Sequence, residues 1–202
     1  MRTALAALLI LAAGVPALWG ATDGLRAFTA EEARRLAVRE APRPLPPLAL
    51  QGREGADWAL TDWAGRTVVV NFIYTRCPTV CNDLGDAMQR LQARLEDDGP
   101  GRLGGKVMLL SISFDPYRDT PRMLTGYAER FGAGPHWQVA RPREAAELPA
   151  VLRAFGITVI PDGYGGYEHN AALHVVDRAG RLAYITDLED VDGVVRVLEA
   201  ML

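Results

Sequence analysis

The sequence predicts an α/β sandwich, a central mixed sheet flanked by helices, and three observations carry that expectation. Two continuous apolar runs rich in β-branched residues, RTVVVNFIYT at 66–75 and KVMLLSISF at 106–114, have the composition of strands buried on both faces of a sheet. Between them Val80, Leu84, Met88, Leu91 and Leu95 recur at steps of three and four, the stripe of an amphipathic helix. Downstream, LHVVD at 173–177 and RLAYIT at 181–186 flank Arg178-Ala179-Gly180, a hairpin pattern. A chain of 202 residues with 49% hydrophobic and 23% charged residues has the make-up of one globular domain with a targeting segment.

Taken in order, residues 1–21 read as a signal peptide or membrane anchor. TALAALLILAAGVPALWGA, residues 3–21, is uncharged and about as long as a bilayer span, with Arg2 before it and Thr22-Asp23-Gly24 behind. Val15-Pro16-Ala17 is a small-residue site for cleavage, whereas Trp19 sits badly for cleavage after Ala21, so a cleaved signal and a retained anchor both stand. Residues 22–47 read as a linker. FTAEEARRLAVRE at 28–40 is a short helix with Thr29 and Glu32 as a capping box, and APRPLPPLAL at 41–50 is too rich in proline for helix interior.

The folded domain is expected over 48–202. Its first helix opens at Pro78, with Cys77 as N-cap, and ends before Gly99-Pro100. Thr120-Pro121 opens a second helix, which runs to Phe131 and stops at Gly132. A short helix over 148–156 and a closing helix from Val191 to Leu202 complete the set. A β-α-β unit followed by a helix and a β-hairpin is the order of a thioredoxin-like sandwich.

Charge excludes one class of partner. The net charge of -3 and a single lysine, Lys106, leave no basic footprint for nucleic acid. Export carries the domain into a compartment where two nearby thiols become a disulfide unless something keeps them reduced.

The chain has only two cysteines, Cys77 and Cys81, at the strand-to-helix junction. On a helix, positions i and i+4 lie roughly 6 Å apart, within disulfide range, and the same spacing lets both sulfurs turn toward one metal ion. A cysteine at a helix N-terminus has a lowered pKa, favouring the thiolate that attacks disulfides and binds soft metals. A permanent disulfide, a redox pair and a metal site all stand on spacing alone, although a five-residue loop gains little from a permanent bond.

A metal site needs a further donor, and the chain has three histidines. His136 follows a helix stop and reads as surface or strand edge. His174 lies within a hairpin strand and reads as packed. His169, in the glycine-rich PDGYGGYEHN, lies in the loop that passes over the cysteine helix in a thioredoxin-like sandwich, so it is the histidine placed to reach the thiolates.

NFIYTRCPTVC, SISFDPYRDTP, YAERFG and YEH, whose histidine lies eight residues before Asp177, together resemble the Sco/SenC family over roughly residues 45–202. These are thioredoxin-like proteins of copper delivery to cytochrome c oxidase. The resemblance implies one bound copper ion, Cu(I) or Cu(II), held by Cys77, Cys81 and His169, and gives Asp115 an accessory role in partner recognition or copper transfer. Two thiolates favour Cu(I), and an added imidazole lets the site hold Cu(II) as well. Closed zinc sites usually take four ligands, whereas three donors leave a position open for ligand exchange. The chain departs from the family in Glu168 and Asn170 on either side of His169 and in Asn82 after the second cysteine.

The implied function is a copper-binding assembly factor that delivers copper to the dinuclear copper A centre. Its partners are the oxidase subunit that bears this centre or another copper protein, a thiol reductant, and the membrane through the N-terminal segment. The implied place is extracytoplasmic, in a periplasm or on the outer membrane face. A thiol-disulfide oxidoreductase, with Cys77 and Cys81 as redox pair reducing the oxidase cysteines or serving redox homeostasis, is the alternative. Pro161 lies twelve residues before Leu173, too far to be a docking cis-proline, which weighs against general disulfide exchange. Within DPYRDTP, Asp115-Pro116 ends a strand, Thr120 caps a helix, and Arg118 with Asp119 is expected as a surface ion pair.

Overall fold

The computed structural model describes residues 2–77, 80–98 and 103–202, the side chains of Val80 and Cys81 excepted. Its contacts divide the chain into two compact units, Met1–Pro42 and Arg43–Leu202. In the first unit, α1 (Arg2–Ala21) has no buried residue and is long and apolar enough to cross a membrane. Then α2 (Ala30–Glu40) begins with the expected capping box: Glu32 N–H donates to Thr29 Oγ1 at 3.1 Å, and Thr29 N–H donates to Glu32 Oε2 at 3.0 Å. The two side chains thus satisfy donors that the first helical turn leaves unpaired.

The second unit is built on one eight-stranded mixed sheet. In chain order its strands are β1 (Arg43–Pro44), β2 (Ala49–Gly52), β3 (Asp57–Ala59), β4 (Thr67–Ile73), β5 (Val107–Ser113) and β6 (Trp137–Pro142). A separate pair follows, β7 (Val159–Pro161) with β8 (Tyr167–His169), and then β9 (Leu173–Val176) and β10 (Arg181–Thr186) return to the main sheet. The spatial order is β1-β10-β9-β4-β5-β6-β2-β3. Strands β4, β5 and β6 are parallel, while β9 runs antiparallel to β4 and forms a hairpin with β10. Every residue of β4 and β5 is buried, as continuous apolar runs require when both faces of a sheet are covered.

The helices of this unit are α3 (Val80–Asp97), α4 (Pro121–Arg130), α5 (Leu148–Phe155) and α6 (Val191–Met201). The stripe on α3 faces the core, with Leu84, Met88 and Leu91 fully buried. Gly85 lets α3 approach the turn after α4, since a Cβ there would stand 2.4 Å from the Phe131 ring. Gln89 and Gln92 then fasten that turn by donating to the carbonyls of Phe131 and Gly132 at 3.2 and 3.1 Å.

Three details differ from expectation or lie beyond it. Thr120 occupies the N-cap of α4 but its side chain makes no capping bond; Pro121 at the first turn needs no N–H partner, so the helix starts without one. The segment around His169 was expected as loop and is instead the β7–β8 hairpin. The expected opening of the cysteine helix at Pro78, with Cys77 as its cap, and its stop at Gly99-Pro100 fall on residues outside those described.

Candidate metal centre

Three chain segments meet beyond the carboxyl ends of β4 and β5, where open α/β sheets hold their sites. The first leaves β4 as Tyr74-Thr75-Arg76-Cys77, with Cys77 N–H donating to the Tyr74 carbonyl at 3.2 Å, which turns the chain toward α3. The second leaves β5 as Phe114-Asp115. Phe114 N–H donates to the Ile73 carbonyl at 2.9 Å, and the Asp115 carbonyl accepts from Arg118 and Asp119 N–H, closing a turn. The third is the β7–β8 hairpin, which carries His169.

Strand alternation sets the direction of His169. Tyr167 and His169 share one face of β8, while Glu168 between them is exposed. That face packs on aromatic rings. The His169 ring meets Phe114 edge-on at 4.9 Å between centroids, and Tyr167 meets Phe114 at 5.6 Å and Tyr74 at 5.3 Å. The Tyr74 hydroxyl accepts from Tyr167 N–H at 3.2 Å and donates to the Tyr167 carbonyl at 3.4 Å. The hairpin is therefore pinned to the segment that ends in Cys77.

Both His169 ring nitrogens are buried and have no hydrogen-bond partner among the described residues. An unpaired buried imidazole is costly, and more so when charged, so burial pushes its pKa down from 6.5 to about 4. At neutral pH the ring is uncharged and carries a lone pair free for a soft or borderline metal. Cys77 is buried at 6% exposure. The Cys81 backbone lies in the first turn of α3, one turn beyond Cys77, and its side chain is outside the described set. Among the described residues no three of His, Cys, Asp and Glu form a ready-made cage. The donors that remain, thiolate and neutral imidazole, suit copper.

Asp115, the accessory candidate, is 4% exposed and flanked by two arginines: Arg118 Nη1 lies 3.3 Å and Arg76 Nη2 3.6 Å from its Oδ2. Each arginine also reaches the hairpin, Arg118 to the Tyr167 hydroxyl and Arg76 to the Gly165 carbonyl, both at 3.4 Å. The expected ion pair of Arg118 with Asp119 is corrected: Arg118 pairs with Asp115, because Asp119 is turned inward and fully buried.

The other two histidines lie elsewhere. His174 is fully buried in β9, with Nδ1 3.3 Å from the Val70 carbonyl and its ring between Phe72 and Phe155. His136 is exposed just before β6. Of the departures noted in sequence, Asn170 holds the foot of the hairpin: its Oδ1 accepts from Thr158 N–H at 2.7 Å and its Nδ2 donates to the Gly156 carbonyl at 3.0 Å. Sequence reasoning missed Arg76, Asp119 and the aromatic cluster of Tyr74, Phe114 and Tyr167. The alternation in Tyr167-Glu168-His169 was the available signal for the last.

Known proteins share this arrangement of strands and loops. The chain is 25% identical over 151 residues to the SCO1 protein homolog of Bacillus subtilis, covering 73% of each. The structure of Bradyrhizobium japonicum ScoI with copper bound is 25% identical with a TM-score of 0.66, over 79% of this chain and 99% of that one. BsSco, described as a member of the Sco family of cytochrome c oxidase assembly proteins with a disulfide switch, matches with a TM-score of 0.68 at 20% identity, over 80% of this chain and 94% of that one. The mixed sheet flanked by helices is thus the thioredoxin-like fold of these proteins. The SCO1/SenC family model matches residues 39–202, and the chain belongs to that family.

Proposed function

We propose that this protein is a copper-binding assembly factor that holds one copper ion with Cys77, Cys81 and His169 and passes it to the dinuclear copper A centre of cytochrome c oxidase. The observation that carries the reading is the buried His169 imidazole, whose nitrogens have no partner among the described residues, on a hairpin pinned to the chain that leads to Cys77. Copper bound in the Bradyrhizobium relative and the oxidase-assembly role of the Sco family support it. Two thiolates and one imidazole give copper a soft three-donor site, and a position left open admits a donor from the recipient. The arginine-flanked Asp115 lies beside this mouth and serves the same hand-over. The apolar α1 exports or anchors the chain, the residues between it and Arg43 act as spacer, and the domain works outside the cytoplasm.

An anaerobic Cu(I) titration against a competing chelator tests this on the reduced protein. One tight equivalent is expected, abolished in Cys77→Ser and Cys81→Ser. In His169→Ala it is weakened by at least about tenfold, or ~1.4 kcal/mol. Equal affinity in the wild type and His169→Ala would leave the cysteines as a redox pair alone, and the thiol-disulfide oxidoreductase reading would replace this one.

A further inference from the structure

Asp119 is a fully buried carboxylate that neither the copper reading nor the arginine pairs employ. Its Oδ2 accepts from Thr75 N–H at 3.0 Å and from the Ser113 hydroxyl, and its Oδ1 accepts from the Thr75 hydroxyl at 2.6 Å. The Ser113 hydroxyl in turn accepts from Asp115 N–H at 3.1 Å. All three donors to Asp119 sit at the carboxyl ends of the two central parallel strands, Ser113 closing β5 and Thr75 two residues past β4. Cys77 is two residues further on. A short loop residue that accepts several hydrogen bonds in a dry site fixes the groups that donate them, because each is costly to leave unpaired.

We infer that Asp119 is a positioning residue for the cysteine segment: its carboxylate clamps Thr75 against the end of β5 and thereby sets where Cys77 stands relative to His169. The geometry separates the two halves of the site. Tyr74 and Phe114 hold the His169 hairpin through their rings and the Tyr74 hydroxyl. Asp119 holds Thr75, between Tyr74 and Cys77, from the β5 side, next to Arg76 with its own bonds to Asp115 and the Gly165 carbonyl. Loss of the clamp therefore loosens the Cys77 segment more than the hairpin, which keeps its own ring and hydroxyl contacts. The inference rests on the copper reading for its metal arm only; thiol accessibility reports on the clamp without copper.

The test compares the full-length chain with Asp119→Ala, Asp119→Asn and Thr75→Val, and with Leu198→Ala in α6 as a remote destabilising control. Cu(I) affinity is read by chelator competition, and Cys77 alkylation by iodoacetamide is read at fixed pH by mass spectrometry. Outer hydrogen-bond partners of metal ligands typically contribute about 10- to 100-fold in affinity; Asp119 acts one step further out, through Thr75, so a loss at the low end, about tenfold, is expected for Asp119→Ala. Thr75→Val is expected to show part of it, and in both variants the buried Cys77 alkylates faster than in the control. Asn keeps an oxygen for Thr75 N–H and Ser113 while the Thr75 hydroxyl turns to accept, so Asp119→Asn is expected to restore both readouts.

Alkylation no faster than in the control would overturn the inference, reducing Asp119 to a stabilising residue. Equal loss in Asn and Ala would overturn it too, since charge rather than the clamp would then be acting. If Asp119→Ala fails to fold, Thr75→Val decides. If no variant, wild type included, binds Cu(I), the copper reading falls while the alkylation result still judges the clamp.

Discussion

His169 shows what burial does to one side chain. Its imidazole is held near pKa 4 in the folded protein against 6.5 when free of burial, so the unfolded chain takes up a proton on acidification before the folded one does. Stability linked to this group is present above about pH 6.5 and is lost as the pH falls toward 4, since the unfolded state binds more protons over that window. An NMR titration of the metal-free protein is expected to place the His169 midpoint near 4. A His169 midpoint near 6.5 would mean that the ring is not held in the aromatic corner. The candidate donors at this scale were legible in the sequence, because thiols and imidazole declare themselves by type. Asp119 was not: next to Arg118 in sequence it reads as half of an ion pair, and only the turn closed on the Asp115 carbonyl sends its carboxylate inward.

Among the elements, the β7–β8 hairpin governs the site, and it was the least legible. Its glycines and polar residues read as loop, because a strand pair of three residues each has too short an alternation to stand out. What makes it a hairpin is tertiary: Tyr74 offers its hydroxyl to both backbone groups of Tyr167, and Asn170 fixes its foot. Tyr74→Phe is expected to cost about 1 kcal/mol, the net worth of a typical hydrogen bond, while leaving the ring contacts intact. Amide exchange at Tyr167 should quicken with little change elsewhere. Unchanged exchange would show that the Tyr74 hydroxyl does not hold the hairpin and that its other contacts suffice. The helices and central strands, by contrast, were readable almost to the residue, since an unbroken apolar run of seven residues or a helical stripe over eight or more outvotes local ambiguity.

The whole molecule has two compact units, and the second, Arg43–Leu202, holds its own core around Trp137, Phe72, Phe155 and the buried strands. Residues 43–202 alone are expected to melt in one cooperative transition at the midpoint shown by the full chain's domain, as monitored by near-ultraviolet circular dichroism. A broad or missing transition would mean that the first 42 residues contribute to the core.

By itself the sequence determined the sandwich and the order of its central strands and helices, and it supplied the thiols and imidazole proposed as donors. Periodicity and residue type are local properties, and they survive being read one residue at a time. Tertiary structure alone decided that the segment from Tyr74 to Cys77, the turn at Asp115 and the His169 hairpin share one corner. It also decided that Asp119 and not Arg118 ties the first two together. Those outcomes depend on which groups meet across 40 to 90 residues of chain, where the cost of leaving a buried carboxylate or hydroxyl unpaired selects the partner.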